Sequence, residues 1–260
     1  MKNKILTHLA AHPWRNQILW FDTIDSTNTQ AKVLAAQGAP HGTVLIADHQ
    51  TGGRGRLGRQ FLSPAGTGIY MSIILRPNCP PADLMHLTCA AATVMCDAVA
   101  SAAGFRPGIK WTNDLVYQHR KLAGILTELG LSPDGTVAWA VVGVGINCLQ
   151  TEEDFDPVIR SFAGSVAMFA NCDRAKLAAA MVECFAKMDL SQKASIMARY
   201  RADCITLGRE ISLLRADGQP RHGRAVDIDA DGALVVECAP GVRETVNSGE
   251  VSIRGMYGYV

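Results

Sequence analysis

Hydrophobic positions along the chain change their spacing several times, and the changes mark out its elements. Residues 17–24 carry bulky apolar side chains at a two-residue spacing, Ile18 and Trp20, and read as a strand. Thr27, followed three residues later by Gln30, predicts a capping box that opens a helix running to about residue 37. Gly38 and Pro40 end it. Residues 43–48 are a β-branched apolar run, a buried strand, and 67–75 are the next. Asp83 is expected to cap a long alanine-rich helix over 84–103, with Met85, Cys89, Ala92, Cys96 and Val99 as its core-facing stripe. Residues 109–114 read as a short strand that 115–117 continue, before the polar turn Gln118-His119-Arg120. Residues 121–129 and 137–147 read as strands. Glycines inside them, Gly124, Gly143 and Gly145, signal close approach of a ligand or a neighbouring backbone.

Residues 151–170 read as loop and helix, Asp173 caps a helix to about 188, and a second helix covers roughly 191–204. Beyond Leu207-Gly208 the spacing tightens into short strands at 210–215, 223–228, 234–238, 244–247 and 250–254. Asp217-Gly218, Asp231-Gly232 and Ser248-Gly249 punctuate them as turns. The pattern is α+β: a main domain over 1–206 and a small β-barrel-like module over 207–260. A module of about 50 residues is marginal alone and should dock on its neighbour.

Composition narrows the class without naming a chemistry. The 260 residues are 48% hydrophobic, enough for one sizeable core with a satellite. A net charge of +1 gives no general attraction to nucleic acid or to an anionic membrane. No apolar run reaches the ~18 residues of a membrane span. The start of the chain, with His8, His12, Pro13 and Arg15, forms no signal-peptide core. The eight cysteines show no Cys-x-x-Cys spacing and read as small buried hydrophobes suited to a reducing cytoplasm.

Charge matters locally. Residues 50–59, Gln-Thr-Gly-Gly-Arg-Gly-Arg-Leu-Gly-Arg, hold four glycines and three arginines with no acidic residue. Glycine loses the most backbone freedom on ordering, so the segment is a poor helix and a poor strand. Arg54, Arg56 and Arg59 repel one another until an anion relieves them. The segment is therefore either a solvated basic turn or a lid over a carboxylate and phosphates. Its Gly53-x-Gly55-x-x-Gly58 spacing is not a dinucleotide fingerprint, because Gln60-Phe61-Leu62-Ser63-Pro64 cannot open the required helix. Lys121 alone reads as a surface charge, and Asn113-Asp114 as a turn. Together with the arginines they form a set able to stabilise charge when a carboxylate attacks an α-phosphate and pyrophosphate leaves.

Several segments, in order, resemble the biotin–protein ligases. They are Asp25-Ser26-Thr27-Asn28, Gln50 with Gly53 to Arg59, Lys110-Trp111-Thr112-Asn113-Asp114-Leu115, Arg120-Lys121-Leu122-Ala123-Gly124-Ile125-Leu126, Gly143-Val144-Gly145-Ile146-Asn147, and the end around Ser248 to Arg254. The resemblance implies a mixed central β-sheet flanked by helices, of the class II synthetase-like kind, with a C-terminal SH3-like β-barrel. It implies an ATP-dependent ligase that makes biotinyl-5′-AMP and transfers biotin to a specific lysine of a biotin carboxyl carrier domain of a carboxylase such as acetyl-CoA carboxylase. ATP would enter with Mg2+ as co-substrate, and no protein-ligated metal is implied.

On matching positions, Ser26, Thr27, Asn28 and Gln50 would read the ureido end of biotin, with Gly124 in the same site. Arg54, Gly55 and Arg56 would hold the carboxylate side and the phosphates, and Arg56 would retain the adenylate. Lys121 would neutralise charge at the carboxylate and α-phosphate. Arg59, Asn113, Asp114 and Asn147 would help place the nucleotide. Asp114 is also a candidate acceptor for the proton of the incoming lysine, with direct loss to water as the alternative. Glu250 and Arg254 read equally as support for ATP or carrier docking and as an ordinary charge pair. Two positions depart from the family pattern: Thr112 stands where proline is usual, and Phe61 where tryptophan is frequent.

The competing readings are a lipoate–protein ligase or octanoyltransferase, a biotin-sensing repressor, and a non-catalytic binding module. The arginine loop and the Lys-Leu-Ala-Gly-Ile-Leu run favour biotin. About 15 residues before the first strand are too few for a winged helix, so no DNA binding is expected. A soluble monomer or homodimer is expected.

Overall fold

The computed structural model describes residues 1–215, 220–247 and 251–255. A short helix, α1 (Lys2–His8), precedes β1 (Ile18–Ile24), α2 (Thr27–Ala36), β2 (Thr43–Gln50) and β3 (Gly68–Leu75). Then come α3 (Leu87–Ala103), β4 (Gly108–Lys110), β5 (Asp114–Tyr117), β6 (Arg120–Leu131), β7 (Val137–Asn147), α4 (Arg174–Ala186) and α5 (Lys193–Asp203). The seven strands form one sheet in the order β1-β2-β3-β7-β6-β5-β4. Only β1 and β2 pair in parallel, as their connection through α2 requires, so the sheet is mixed.

The two-residue alternation of each strand divides the sheet into unlike faces. Ile69, Met71 and Ile73 of β3 and Val142, Val144 and Ile146 of β7 point into a large core with α1, α3, α4 and α5. The opposite face packs α2 through a small cluster of Ala31, Ala35, Leu45, Ile74 and Val141. On β3, β6 and β7 that second face also carries Ser72, Gly124, Gly143 and Gly145. Small residues there leave room beside α2, and the candidate site occupies it.

A second, antiparallel sheet comprises β8 (Glu210–Arg215), β9 (Pro220–Ile228), β10 (Leu234–Ala239), β11 (Val242–Val246) and β12 (Val251–Gly255) in the order β11-β10-β9-β8-β12. It touches the β4–β5 turn and the helices α3 and α5 at definite points. The Trp111 indole donates to Gly232 O at 2.9 Å, and Arg201 Nε donates to Ile228 O at 2.6 Å. Gly232 has φ +90, and a side chain there would meet Cys89 Sγ at 2.7 Å, so the Asp231-Gly232 turn needs glycine.

Several expected boundaries move. Ser26, not Thr27, is the N-cap of α2, its hydroxyl accepting from Thr29 N at 3.4 Å. The capping-box spacing was read one residue late. Asp83 caps nothing: it lies in a 3-10 turn, Pro81–Leu84, and α3 starts afterwards, which leaves Met85 exposed while the rest of its stripe is buried. Residues 109–117 are not one strand but two, β4 and β5, paired antiparallel across a turn at 111–113. Between 151 and 170 there are 3-10 turns and no α-helix. Asp173 caps α4 as expected, accepting from Ala175 N and Lys176 N. The 23-residue stretch 81–103 has the length and apolarity of a membrane span, but most of it is buried against the sheet and neighbouring helices, as in a core helix. The turns Asp217-Gly218 and Ser248-Gly249 and the residue Glu250 lie outside the described residues, and Arg254 is placed only as a backbone position in β12.

Candidate active site

Beside α2 the sheet opens into a cavity of about 860 Å³. Its polar end is built where α2 begins. Ser26, Thr27 and Asn28 are buried there, because the helix N-terminus abuts β3 and β7. Gln50, the last residue of β2, accepts from Thr27 N at 2.8 Å and Thr27 Oγ1 at 3.1 Å. Its amide donates to Ser63 Oγ at 2.9 Å. Asn28 donates to Leu126 O at 3.3 Å and Glu128 Oε2 at 3.0 Å, and accepts from Ser72 Oγ at 2.6 Å. A side chain at Gly143 would lie 2.6 Å from Asn28 Cγ and closer still to Oδ1, so glycine there admits the amide.

The arginine loop forms the wall opposite. Bridges Gln50–Ser63 and Arg54–Gln60 make 50–63 a hairpin-like excursion, pinned by Phe61 N to Gly53 O at 2.9 Å and Gly55 N to Arg59 O at 2.7 Å. Its tip turns through left-handed backbone at Leu57 and Gly58, φ +55 and +71. Arg56 reaches across the cavity and donates to Asn113 Oδ1 at 2.7 Å. Burial lowers its pKa, partly offset by Asp114, but an arginine so shifted still carries its charge at neutral pH. Arg54 lies 3.6 Å from Glu128.

The charged end lies where β5 meets β6. Lys121 Nζ and Asp114 Oδ1 are 2.8 Å apart. A Cβ at Gly124 would meet Lys121 Nζ at 3.5 Å and Asp114 Oδ1 at 3.7 Å, so glycine keeps the space over that pair open. Asn113 donates to Asp114 Oδ1 at 3.2 Å and Ile125 O at 3.0 Å, which holds the turn between β4 and β5. The backbone of Lys121 is fixed by Phe162 O at 2.7 Å and Gly164 N at 2.9 Å, so the 158–162 segment becomes the far wall.

Of the residues expected from sequence, Ser26, Thr27, Asn28, Gln50, Arg54, Gly55, Arg56, Arg59, Asn113, Asp114, Lys121 and Gly124 all line this cavity. Asn147 does not. It sits at the end of β7 and donates to Gly164 O at 3.0 Å, tying the 161–164 segment to the sheet. The resemblance implied that it would help place the nucleotide; here its amide is engaged by Gly164 O and by Gln150 Nε2, at 3.0 and 3.2 Å.

The family models that match are the biotin/lipoate A/B protein ligase family over residues 20–147 and the biotin protein ligase C-terminal domain over residues 206–254. The chain is 35% identical over 250 residues to a biotin–[acetyl-CoA-carboxylase] ligase of Mycobacterium tuberculosis, covering 93% of this chain and 90% of that one. A ligase of the same description from Paracoccus denitrificans is 32% identical over 241 residues, covering 89% and 98%. The structure is similar to a biotin protein ligase from Aquifex aeolicus in complex with biotin and ATP, with TM-score 0.77, 26% identity, and 92% and 98% of the two chains covered. The chain belongs to the biotin protein ligase family.

Within that family frame, four contributors to the site had no assigned role in the sequence: Lys110, Trp111, Ser72 and Glu128. The first two line the cavity beside Asn113. Ser72 and Glu128 stand behind it and hold Asn28. A signal for them existed. Counting in twos from Gly124 puts Leu126 and Glu128 on the cavity face, and a carboxylate inside a strand that is otherwise apolar asks for partners. The departure at Phe61 is accommodated by Gly145, since a side chain there would lie 2.6 Å from the ring, and the ring stands edge-on to Tyr70. Thr112 is buried and its hydroxyl has no partner among the described residues, a cost of about 1–3 kcal/mol that a proline would not incur.

Proposed function

We propose that this protein activates biotin with MgATP to biotinyl-5′-adenylate, releasing pyrophosphate, and then transfers biotin to a lysine of a biotin carboxyl carrier domain. The observation that carries the reading is the polarity of one cavity. Hydroxyls and amides of Ser26, Thr27, Asn28 and Gln50 line one end, and Arg54, Arg56, Arg59 and Lys121 surround the other. Biotin has the matching shape, a ureido ring at one end and a carboxylate at the other.

In the first step a carboxylate oxygen attacks the α-phosphorus while the bond to the pyrophosphate oxygen breaks. Negative charge spreads over the phosphoryl oxygens, and fixed cations in a water-poor site stabilise it best. Lys121 lies where carboxylate and α-phosphate meet, and Arg54, Gly55 and Arg56 close over them. Arg59, Asn113 and Asp114 contact the nucleotide. Mg2+ would enter with the triphosphate. Asp114 is the carboxylate lining the cavity, and among the described residues no three His, Cys, Asp or Glu gather as a metal site. That donor set fits a cation held chiefly by phosphate oxygens and water, which would neutralise charge on the leaving pyrophosphate.

In the second step a neutral amine attacks the acyl carbonyl, and AMP leaves. The attacking nitrogen loses a proton, and Asp114 is the carboxylate placed to take it once Lys121 turns toward phosphate. The loop retains the adenylate and excludes water in the interval. The two sheets support a division of the chain at about 206/207 into a catalytic unit and a C-terminal unit that completes the carrier-facing surface. Eight free thiols suit a reducing cytoplasm.

Mass spectrometry of a carboxylase carrier domain incubated with the protein, MgATP and either biotin or lipoate tests the proposal. A biotin adduct on one lysine is expected. A lipoyl adduct with no biotin adduct would overturn it.

A further inference from the structure

We propose that Glu128 is a positioning residue for the polar end of the cavity: its carboxylate sets the direction of the Asn28 amide and ties that amide, through Arg54, to the arginine loop. The inference rests on the reading that this end receives biotin.

Glu128 lies on β6, seven residues beyond Lys121 and on the same strand face as Gly124 and Leu126. It makes no part of the cavity wall, yet three side chains meet on it, two from α2 and one from the arginine loop. Oε2 accepts from Asn28 Nδ2 at 3.0 Å, Oε1 accepts from Lys32 Nζ at 2.6 Å, and Arg54 Nη1 lies 3.6 Å from Oε1. Burial pushes its pKa up, but the Lys32 and Asn28 hydrogen bonds and the charges of Lys32 and Arg54 outweigh that and hold it below the ordinary value.

An ionised carboxylate only accepts hydrogen bonds. It therefore obliges Asn28 to present its NH2, whose second proton goes to Leu126 O at 3.3 Å. The amide oxygen must then face Ser72 Oγ, 2.6 Å away, and takes that hydroxyl's single proton. With that proton committed, the 2.8 Å contact between Ser72 Oγ and Thr27 Oγ1 calls on the single Thr27 hydroxyl proton, which Gln50 Oε1 at 3.1 Å also accepts, so Thr27 has no proton left over for a ligand. Gln50 is in turn directed by Ser63 Oγ, which donates to Phe61 O at 3.0 Å. One anionic terminus thus decides which lone pairs and protons Asn28, Thr27 and Gln50 have left for a ligand. Gly143 leaves the room this amide position needs, since a side chain there would lie 2.6 Å from Asn28 Cγ.

A glutamine at 128 removes that decision. Its own NH2 can face Asn28, and a turned-over Asn28 would set its oxygen against Leu126 O. The polar end would then meet a ureido group in mixed orientations, while the nucleotide end, around Arg59, Asn113 and Lys121, would be unchanged.

The test is calorimetric titration of the full chain with biotin and, separately, with ATP, for the wild type, Glu128→Gln, Lys32→Met, Asn28→Ala and the double variant Asn28→Ala/Glu128→Gln. Glu128→Gln should weaken biotin about tenfold and leave ATP within about twofold. Lys32→Met should leave both within about twofold. In the Asn28→Ala background Glu128→Gln should add less than about twofold, because its effect runs through that amide. An undiminished loss in that background would overturn the proposal, as would equal loss for biotin and ATP, the mark of general loosening. If Glu128→Gln does not fold, Glu128→Asp keeps the charge for Lys32 and Arg54 but retreats from Asn28. It should weaken biotin alone, and unchanged biotin affinity would overturn the proposal. Failure of the wild type to bind biotin would instead overturn the reading of the cavity, and is seen before any variant is compared.

Discussion

Gly143→Ala is a one-carbon perturbation with a large steric consequence. The backbone of Gly143 is regular strand, paired with Ser72 on β3 and Leu126 on β6, so alanine is tolerated by the chain itself. The added Cβ would lie 2.6 Å from Asn28 Cγ and 2.8 Å from Nδ2. Asn28 is buried and cannot swing into solvent. It must give up its bonds to Glu128, Leu126 O and Ser72, or the sheet must part from α2. A hydrogen bond to a charged group contributes about 1.5–3 kcal/mol and each neutral one about 0.5–1.5 kcal/mol, so the displacement costs roughly 3 kcal/mol even if part is recovered. At about 2–4 °C per kcal/mol for a protein of this size, the melting temperature should fall by about 6–12 °C. Biotin, which we place against Asn28, should bind about ten- to thirtyfold more weakly, from about 1.4–2 kcal/mol of lost contact. ATP affinity should hold. Gly130→Ala is the matched control, since its Cβ would collide with Trp139, away from the cavity, and should cost stability but not biotin affinity. Differential scanning calorimetry and biotin titration on both variants decide it. Wild-type biotin affinity in Gly143→Ala would refute the placement of Asn28 at the biotin end.

Other consequences follow from the charged end and from the network. Lys121→Ala removes the cation at the reacting phosphate and the ion-pair partner of Asp114, and should slow biotin-dependent pyrophosphate release by at least about 10²-fold; a near-normal rate would count against the role of Lys121. Arg56→Gly breaks the 2.7 Å contact to Asn113 and should leave adenylate synthesis partly intact while the intermediate escapes. Bystander proteins would then be biotinylated, as read by streptavidin blotting, and strict specificity for the carrier would refute the retention role. The pKa of Glu128 is depressed in the folded protein, so its contribution is present above its ordinary value of 4.5 and is lost as pH falls through the lower folded value. Biotin affinity should weaken over that acid range in the wild type, and Glu128→Gln should lack this limb of the pH profile.

How much of this was legible in the chain depends on which interactions are local. Most strands, and the cap at Asp173, are decided by neighbours in sequence, and they survive in the structure with their ends shifted by up to about three residues, apart from 109–117, which splits in two. The start of α3 was misplaced because Asp83 has the chemistry of a cap while the chain geometry around Pro80 and Pro81 favours a 3-10 turn first. Asn147 and Glu128 show the deeper reason. Both are polar residues in apolar strands, so sequence marks each as needing partners. What differs is what the chain lays over them. Asn147 is covered by Gly164, 17 residues on, and becomes a structural tie. Glu128 is met by Asn28 and Lys32, about a hundred residues earlier, and stands behind the lining of the cavity, holding Asn28. No local signal separates the two cases. The alternation places Glu128 on the face with Gly124 and Gly143, and only the packing of α2 against that face turns a strand carboxylate into the terminus of a directed hydrogen-bond chain. The arginine loop is the converse. Its composition left a solvated turn and an anion lid equally open, and the fold adds what composition could not, that Arg56 spans the cavity to Asn113 instead of pointing to water.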